Sequence, residues 1–174
     1  VGLIKNTEVK LRLVPEQTFG DPGEEFSTKL FGIGVLHDVK QWIPGISNLP
    51  FDLSGFVGFT KMTTSYNLNA DEPSQVANFD VSGTTVQALI SKKLAVLTVY
   101  GGVGFASTST DFALNGTYET EVGDFVDPIA LEYSTGGLRA KIGARLKLLV
   151  LTIHAEYALQ EYNTINGGIG ISIR

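Results

Sequence analysis

The sequence predicts an all-β chain, an antiparallel up-and-down transmembrane β-barrel of about eight strands. Three observations predict it. Apolar and polar residues alternate with a period of two in eight separate stretches, and helical periodicity is nearly absent. No apolar run reaches the ~18 residues of a membrane-spanning helix. The connections between stretches alternate in length and in charge, as in barrels with long outer loops and short periplasmic turns.

The stretches follow in order. Residues 7–13 set Val9, Leu11 and Leu13 against Glu8, Lys10 and Arg12. Residues 29–36 set Phe31, Ile33 and Val35 against Gly32 and Gly34. Residues 51–60 set Leu53, Val57 and Phe59 against Asp52, Ser54 and Thr60. Residues 84–91 are less regular, with Val86, Ala88 and Ile90 on one face. Residues 97–105 place Val99, Val103 and Phe105 opposite Thr98, Tyr100 and Gly104. The clearest case, residues 138–146, opposes Leu138, Ala140, Ile142, Ala144 and Leu146 to Arg139, Lys141, Gly143 and Arg145. Residues 151–160 oppose Leu151, Ile153 and Tyr157 to His154 and Glu156. The end alternates Ile169, Ile171 and Ile173 with glycine, Ser172 and Arg174.

Odd-to-even connections fall at 15–25, 66–78, 111–134 and 161–164; they hold acidic residues and neither lysine nor arginine. Even-to-odd connections fall at 38–50, 91–94 and 147–150 and carry Lys40, Lys92, Lys93 and Lys147. The acidic rim is therefore expected outside the cell and the basic rim, with both termini, in the periplasm. Residues 38–46 are expected to form one or two helical turns before Pro44. Trp42, beside Lys40, is placed at the membrane interface or over the barrel end.

Composition bounds the function. Only 18% of residues are charged, and the net charge of −5 speaks against nucleic acid as a partner. The absence of cysteine excludes disulfides, zinc–thiolate sites and cysteine nucleophiles. Val1–Lys5 lack the basic start and long apolar stretch of a signal segment, so a mature form or a fragment is expected. The chain reads as one domain over residues 1–174, with no linker or low-complexity tract.

Alternation alone does not say which face is outside. A soluble lipocalin-like barrel keeps its apolar face inward, whereas a membrane barrel turns it to lipid. Two features favour the membrane form, the long evenly spaced strands with tight turns on one rim only and the placement of the glycines, with a soluble lipocalin-like binding barrel as the remote alternative. Gly32, Gly34, Gly58, Gly102, Gly104, Gly143, Gly168 and Gly170 share the charged face, where a crowded interior needs room and a solvent face does not.

The segments His37–Gly45 (HDVKQWIPG) and 49–54 (LPFDLS), with 1–7 and 136–140, resemble an uncharacterised family of Bacteroidetes-type outer-membrane β-barrel proteins. The resemblance covers most of the chain and implies a bacterial outer-membrane location. Members of that family are longer, so two forms stay open: a single eight-stranded domain, or the C-terminal part of a larger barrel, loosely like fatty-acid-transporter porins. The motifs bring no catalytic residues.

Chemistry is sparse. His154 and Glu156 share a strand face, but no serine stands in an obvious partner position and no nucleophile elbow occurs. Residues 124–128 hold two aspartates without an EF-hand spacing, and the glycines at 101–104 lie inside a strand, not in a phosphate loop. An enzyme is not expected, nor are metal ligands or a cofactor. The informative residues are the charges expected to face the lumen: Lys10, Arg12, Asp52, Arg139, Lys141, Arg145, His154 and Glu156. In an eight-stranded barrel they would fill the interior as a paired network; in a larger one they would line a channel. The function expected is a structural or accessory barrel, or passive passage of small or hydrophobic solutes. Outer-membrane lipid, and another envelope protein, are the partners expected.

Overall fold

The computed structural model describes residues 6–22, 24–46, 48–69, 72, 74–120, 123–161 and 163–171. Residues 1–5 and 172–174, which carry part of the resemblance and the end of the last alternating stretch, lie outside the described residues.

Among the described residues ten strands follow one another: β1 (Thr7–Phe19), β2 (Phe26–Asp38), β3 (Asp52–Asn67), β4 (Val76–Leu94), β5 (Leu97–Asn115), β6 (Thr117–Thr120), β7 (Gly123–Val126), β8 (Ile129–Leu148), β9 (Leu151–Leu159) and β10 (Thr164–Ile171). Eight of them form one antiparallel sheet in the order β1-β2-β3-β4-β5-β8-β9-β10, and β6 pairs only with β7. Each strand of the main sheet lies beside its predecessor, the up-and-down order. The sheet curls into a half-barrel.

Two connections are two-residue turns, at Ala95-Val96 and Leu149-Val150. Their first residues take left-handed φ angles of 52° and 53°. That hand matches the twist of the flanking strands, which is why tight hairpins use it. The 38–50 connection contains a 3-10 turn over Lys40–Trp42. There Lys40 Nζ donates to the Leu49 carbonyl at 2.6 Å, and the Trp42 ring lies 5.0 Å from that of His37.

The strands are longer than the alternation indicates, and this corrects several expected loops. The 111–134 stretch is not an open loop. β5 runs on to Asn115, β8 starts at Ile129, and the β6–β7 hairpin stands between them. Asp127 N donates to the Gly116 carbonyl at 2.9 Å, and Gly116 N to the Asp127 carboxylate at 2.8 Å, closing the base of that hairpin. β1 extends to Phe19 through Pro15, with a bulge between Val14 and Gln17 where the ladder slips. Bulges admit proline because the ladder hydrogen bond is already broken there. Lys92 and Lys93 sit inside β4, not in the turn after it.

Why the alternation stops early is visible in the register. In the lower half of the sheet the convex face is apolar. On β5 it comprises Leu97, Val99, Gly101, Val103 and Phe105, matched on β8 by Leu146, Ala144, Ile142, Ala140 and Leu138. Above this band the same face turns polar: Lys61, Ser82, Ser109 and Ser134 share a row, as do Thr63, Asp80, Asp111 and Glu132. The opposite face inverts in the other sense. It is charged below, and above it carries rows such as Met62, Val81, Thr110 and Tyr133, then Thr64, Phe79, Phe112 and Leu131.

The apolar convex band has no protein cover. Leu138 is 85% exposed, Ile142 67% and Val103 63%. Among the described residues Ala158 is the one apolar side chain that is fully buried. Each large side chain left in water forgoes about 1.5–3 kcal/mol of burial. The fold therefore has no conventional core; its apolar surface is on the outside.

Candidate functional site: the polar concave face

The chemistry-bearing residues come from strand parity. Even positions of β1, β2, β3, β5 and β9 and odd positions of β4 and β8 fall on one face, as the ladder registers require. One row runs Asp52, Ser91, Tyr100, Gly143, Glu156. Another runs Lys93, Thr98, Arg145, His154, Gly168. All eight residues singled out above as charged or polar lie on this face. A cavity of about 270 Å³ on it is lined from seven strands, with Lys10 on β1 and Glu156 on β9 at its sides.

The structure draws three of the eight together. Glu156 pairs with Lys141 at 3.1 Å and with Arg139 at 3.7 Å. These side chains retain 14%, 16% and 21% exposure, so the pairs are largely withdrawn from water. Arg145 stands directly across the ladder from His154. Lys10, Arg12, Asp52 and Arg145 are exposed on the concave face. Lys10 Nζ lies 6.0 Å from the centre of the Phe56 ring. Trp42 is apart from this group, 70% exposed on the rim connection. His37, at the rim end of β2, shares a hydrogen bond with Thr7, 2.8 Å from Nδ1.

Glycines make the room that the site needs. A Cβ on Gly143 would meet the Tyr100 ring at 2.5 Å, and one on Gly58 would meet the Phe56 ring at 2.7 Å. One on Gly168 would meet the His154 ring at 2.6 Å. Tyr100 and His154 each lie against a glycine of the next strand, and Phe56 lies against Gly58 of its own strand and Gly34 of β2. A side chain there would push the ring into the cavity.

Tyr100 and Phe56 were not among the expected site residues. Tyr100 stands in one row with Glu156, across Gly143, and brings its ring to 5.9 Å from Lys141 Nζ. The signal for both was present: an aromatic residue on the charged face of its own strand, with glycines on the neighbouring strands to lie against.

The arrangement holds charge on a concave wall. Asp127, in the segment weighed as a cation site, spends a carboxylate oxygen on the Gly116 amide. Among the described residues no three histidine or carboxylate side chains are grouped to hold a metal ion.

No curated protein matches the chain, and no solved structure does. The model of a family of unknown function, DUF6588, matches residues 1–173, and the chain belongs to that family.

Proposed function

We propose that the chain forms barrel wall in a bacterial outer membrane, with its convex band in lipid and its charged concave face toward a lumen. The observation that carries this is the inversion of both faces at one level of the sheet. The apolar part of β5, Leu97 to Phe105, is nine residues long. A tilted strand needs about 9–11 residues to cross the hydrocarbon layer. Above that level a wall leaving the membrane meets water outside, and its convex face is polar there. A soluble binding barrel has the opposite arrangement, apolar within and polar without.

Within this reading the barrel passes small solutes by diffusion. The half-barrel curl of eight strands favours a lumen wider than eight strands enclose, since an eight-stranded barrel is just wide enough for side chains to fill. A structural barrel with a filled interior is the second reading, favoured by the Arg139–Glu156–Lys141 group, which occupies part of that interior.

The test is fractionation followed by reconstitution. The protein should sediment with outer membranes, need detergent for extraction, and conduct ions after insertion in a planar bilayer. A monodisperse, folded protein in plain buffer overturns the membrane reading. A bilayer-inserted protein without conductance favours the structural barrel.

A further inference from the structure

The chain is acidic overall, yet its charges are sorted by face. On the concave face of the main sheet β1 sets Lys10 and Arg12 against Glu8, and β8 contributes Arg139, Lys141, Arg145 and Lys147 with no carboxylate. β4 adds Lys93. The acids on that face, among the described residues, are Glu8, Asp38 on β2, Asp52 on β3, Glu156 on β9 and, just past β9, Glu161, which accepts from the Thr135 hydroxyl of β8. Among the described residues seven cations thus stand against five carboxylates on this face, in a protein whose net charge is −5. The remaining acids are on the upper convex surface and in the connections; the rows above Arg12 on the inner side, such as Met62 to Tyr133, carry none.

The excess is local as well as total. Glu156 is shared by two cations, and Arg139 Nε is buried with no acceptor. Arg145 faces His154 across the ladder, and neither supplies a negative charge. Lysine and arginine rings select anions in pores because a narrow, low-dielectric wall focuses the field of fixed charges.

We propose that this face makes the lumen anion-selective, taking small anions such as chloride, inorganic phosphate and short carboxylates. This rests on the reading of the concave face as a conducting lumen, and it names the solute class. Arg12 and Arg145 hold the selectivity together with Lys10, since all three are exposed on the face. Arg139 and Lys141 position Glu156 as well as adding charge.

The experiment is a reversal potential across a planar bilayer under a potassium chloride gradient, on the detergent-extracted protein in its native assembly. Wild type is expected to show a chloride-to-potassium permeability ratio above one. In K10E/R12E/R145E the excess of cations on the face becomes an excess of carboxylates, and the ratio is expected to fall below one. Inorganic phosphate added to wild type should reduce the chloride current. A wild-type ratio at or below one, or a folded triple variant with an unchanged ratio, overturns anion selectivity and leaves the conducting lumen standing. No conductance at all overturns both. The wild-type sign is decisive by itself, so the test holds even where the triple variant fails to fold.

Discussion

Glu156 lies across the β8–β9 ladder from Gly143, and its carboxylate reaches two residues away in the register to Lys141 Nζ, at 3.1 Å. Arg139 Nη2 approaches the other oxygen at 3.7 Å. Removing one member of a largely buried pair leaves the others desolvated without compensation, and this outweighs the net worth of the pair. Glu156→Gln is expected to cost about 1–3 kcal/mol of stability. Asp124→Asn, on the exposed β7 hairpin strand, should change it by less than about 0.5 kcal/mol. Urea unfolding of the two variants in lipid vesicles checks the contrast; equal, negligible effects mean that Glu156 faces open water.

Gly104 and Gly137 are near neighbours on the same face, yet they should respond oppositely to alanine. A Cβ at Gly104 would fall 2.1 Å from the Val86 carbonyl oxygen and 2.7 Å from Gln87 Cα, both backbone atoms that cannot swing away. At Gly137 nothing lies within 4 Å. Gly104→Ala is expected to cost at least the roughly 1–3 kcal/mol of an overpacked site. Gly137→Ala is expected to be neutral or to gain up to about 1 kcal/mol by restricting the unfolded chain. The same unfolding midpoints measure both.

Ala95 opens the β4–β5 turn at φ 52°, where a side chain costs about 1–2 kcal/mol relative to glycine. Ala95→Gly should therefore stabilise the hairpin, against the usual direction for a glycine substitution. A raised urea midpoint, at unchanged slope, is the expected result; a lowered midpoint contradicts the turn geometry.

Ile142 stands at the middle of the apolar convex band, paired with Gly101, while Ser109 lies on the same face above it. A lysine at the bilayer midplane of a barrel costs about 2–4 kcal/mol and little outside the band. Ile142→Lys should lose folding efficiency in vesicles, whereas Ser109→Lys should fold like wild type. Comparable losses from both indicate that the band does not meet lipid.

How far the sequence carried this account follows from where alternation means one thing. In the lower half, apolar residues point one way and charges the other, so the eight stretches and the shared face of Arg139, Lys141 and Glu156 could be read directly. Above residue 105 on β5 the two faces exchange character, and Ser107, Ser109 and Asp111 take the convex side. A reader following one apolar face loses the strand at that point and writes a loop. That is why residues 111–134 looked like an acidic connection, although most of them are paired. The fine structure of the concave face was less legible. Alternation places Tyr100 and Phe56 on the charged face, but which glycine each ring lies against, Gly143 for Tyr100 and Gly34 and Gly58 for Phe56, follows from the fold.

In the proposed outer-membrane wall the convex face meets lipid up to the level where polarity inverts. The chain contains no cysteine, so single cysteines along β5 can carry a fluorescent label without background. The measurement is quenching of that label, from position 97 to position 111 in vesicles, by lipid-borne nitroxides and by aqueous iodide. Odd positions 97–105 are expected to be quenched from lipid and even positions from water, with odd positions 107–111 passing to the aqueous quencher. Iodide quenching of Val99, Val103 and Phe105 as strong as that of Ser109 would contradict the account.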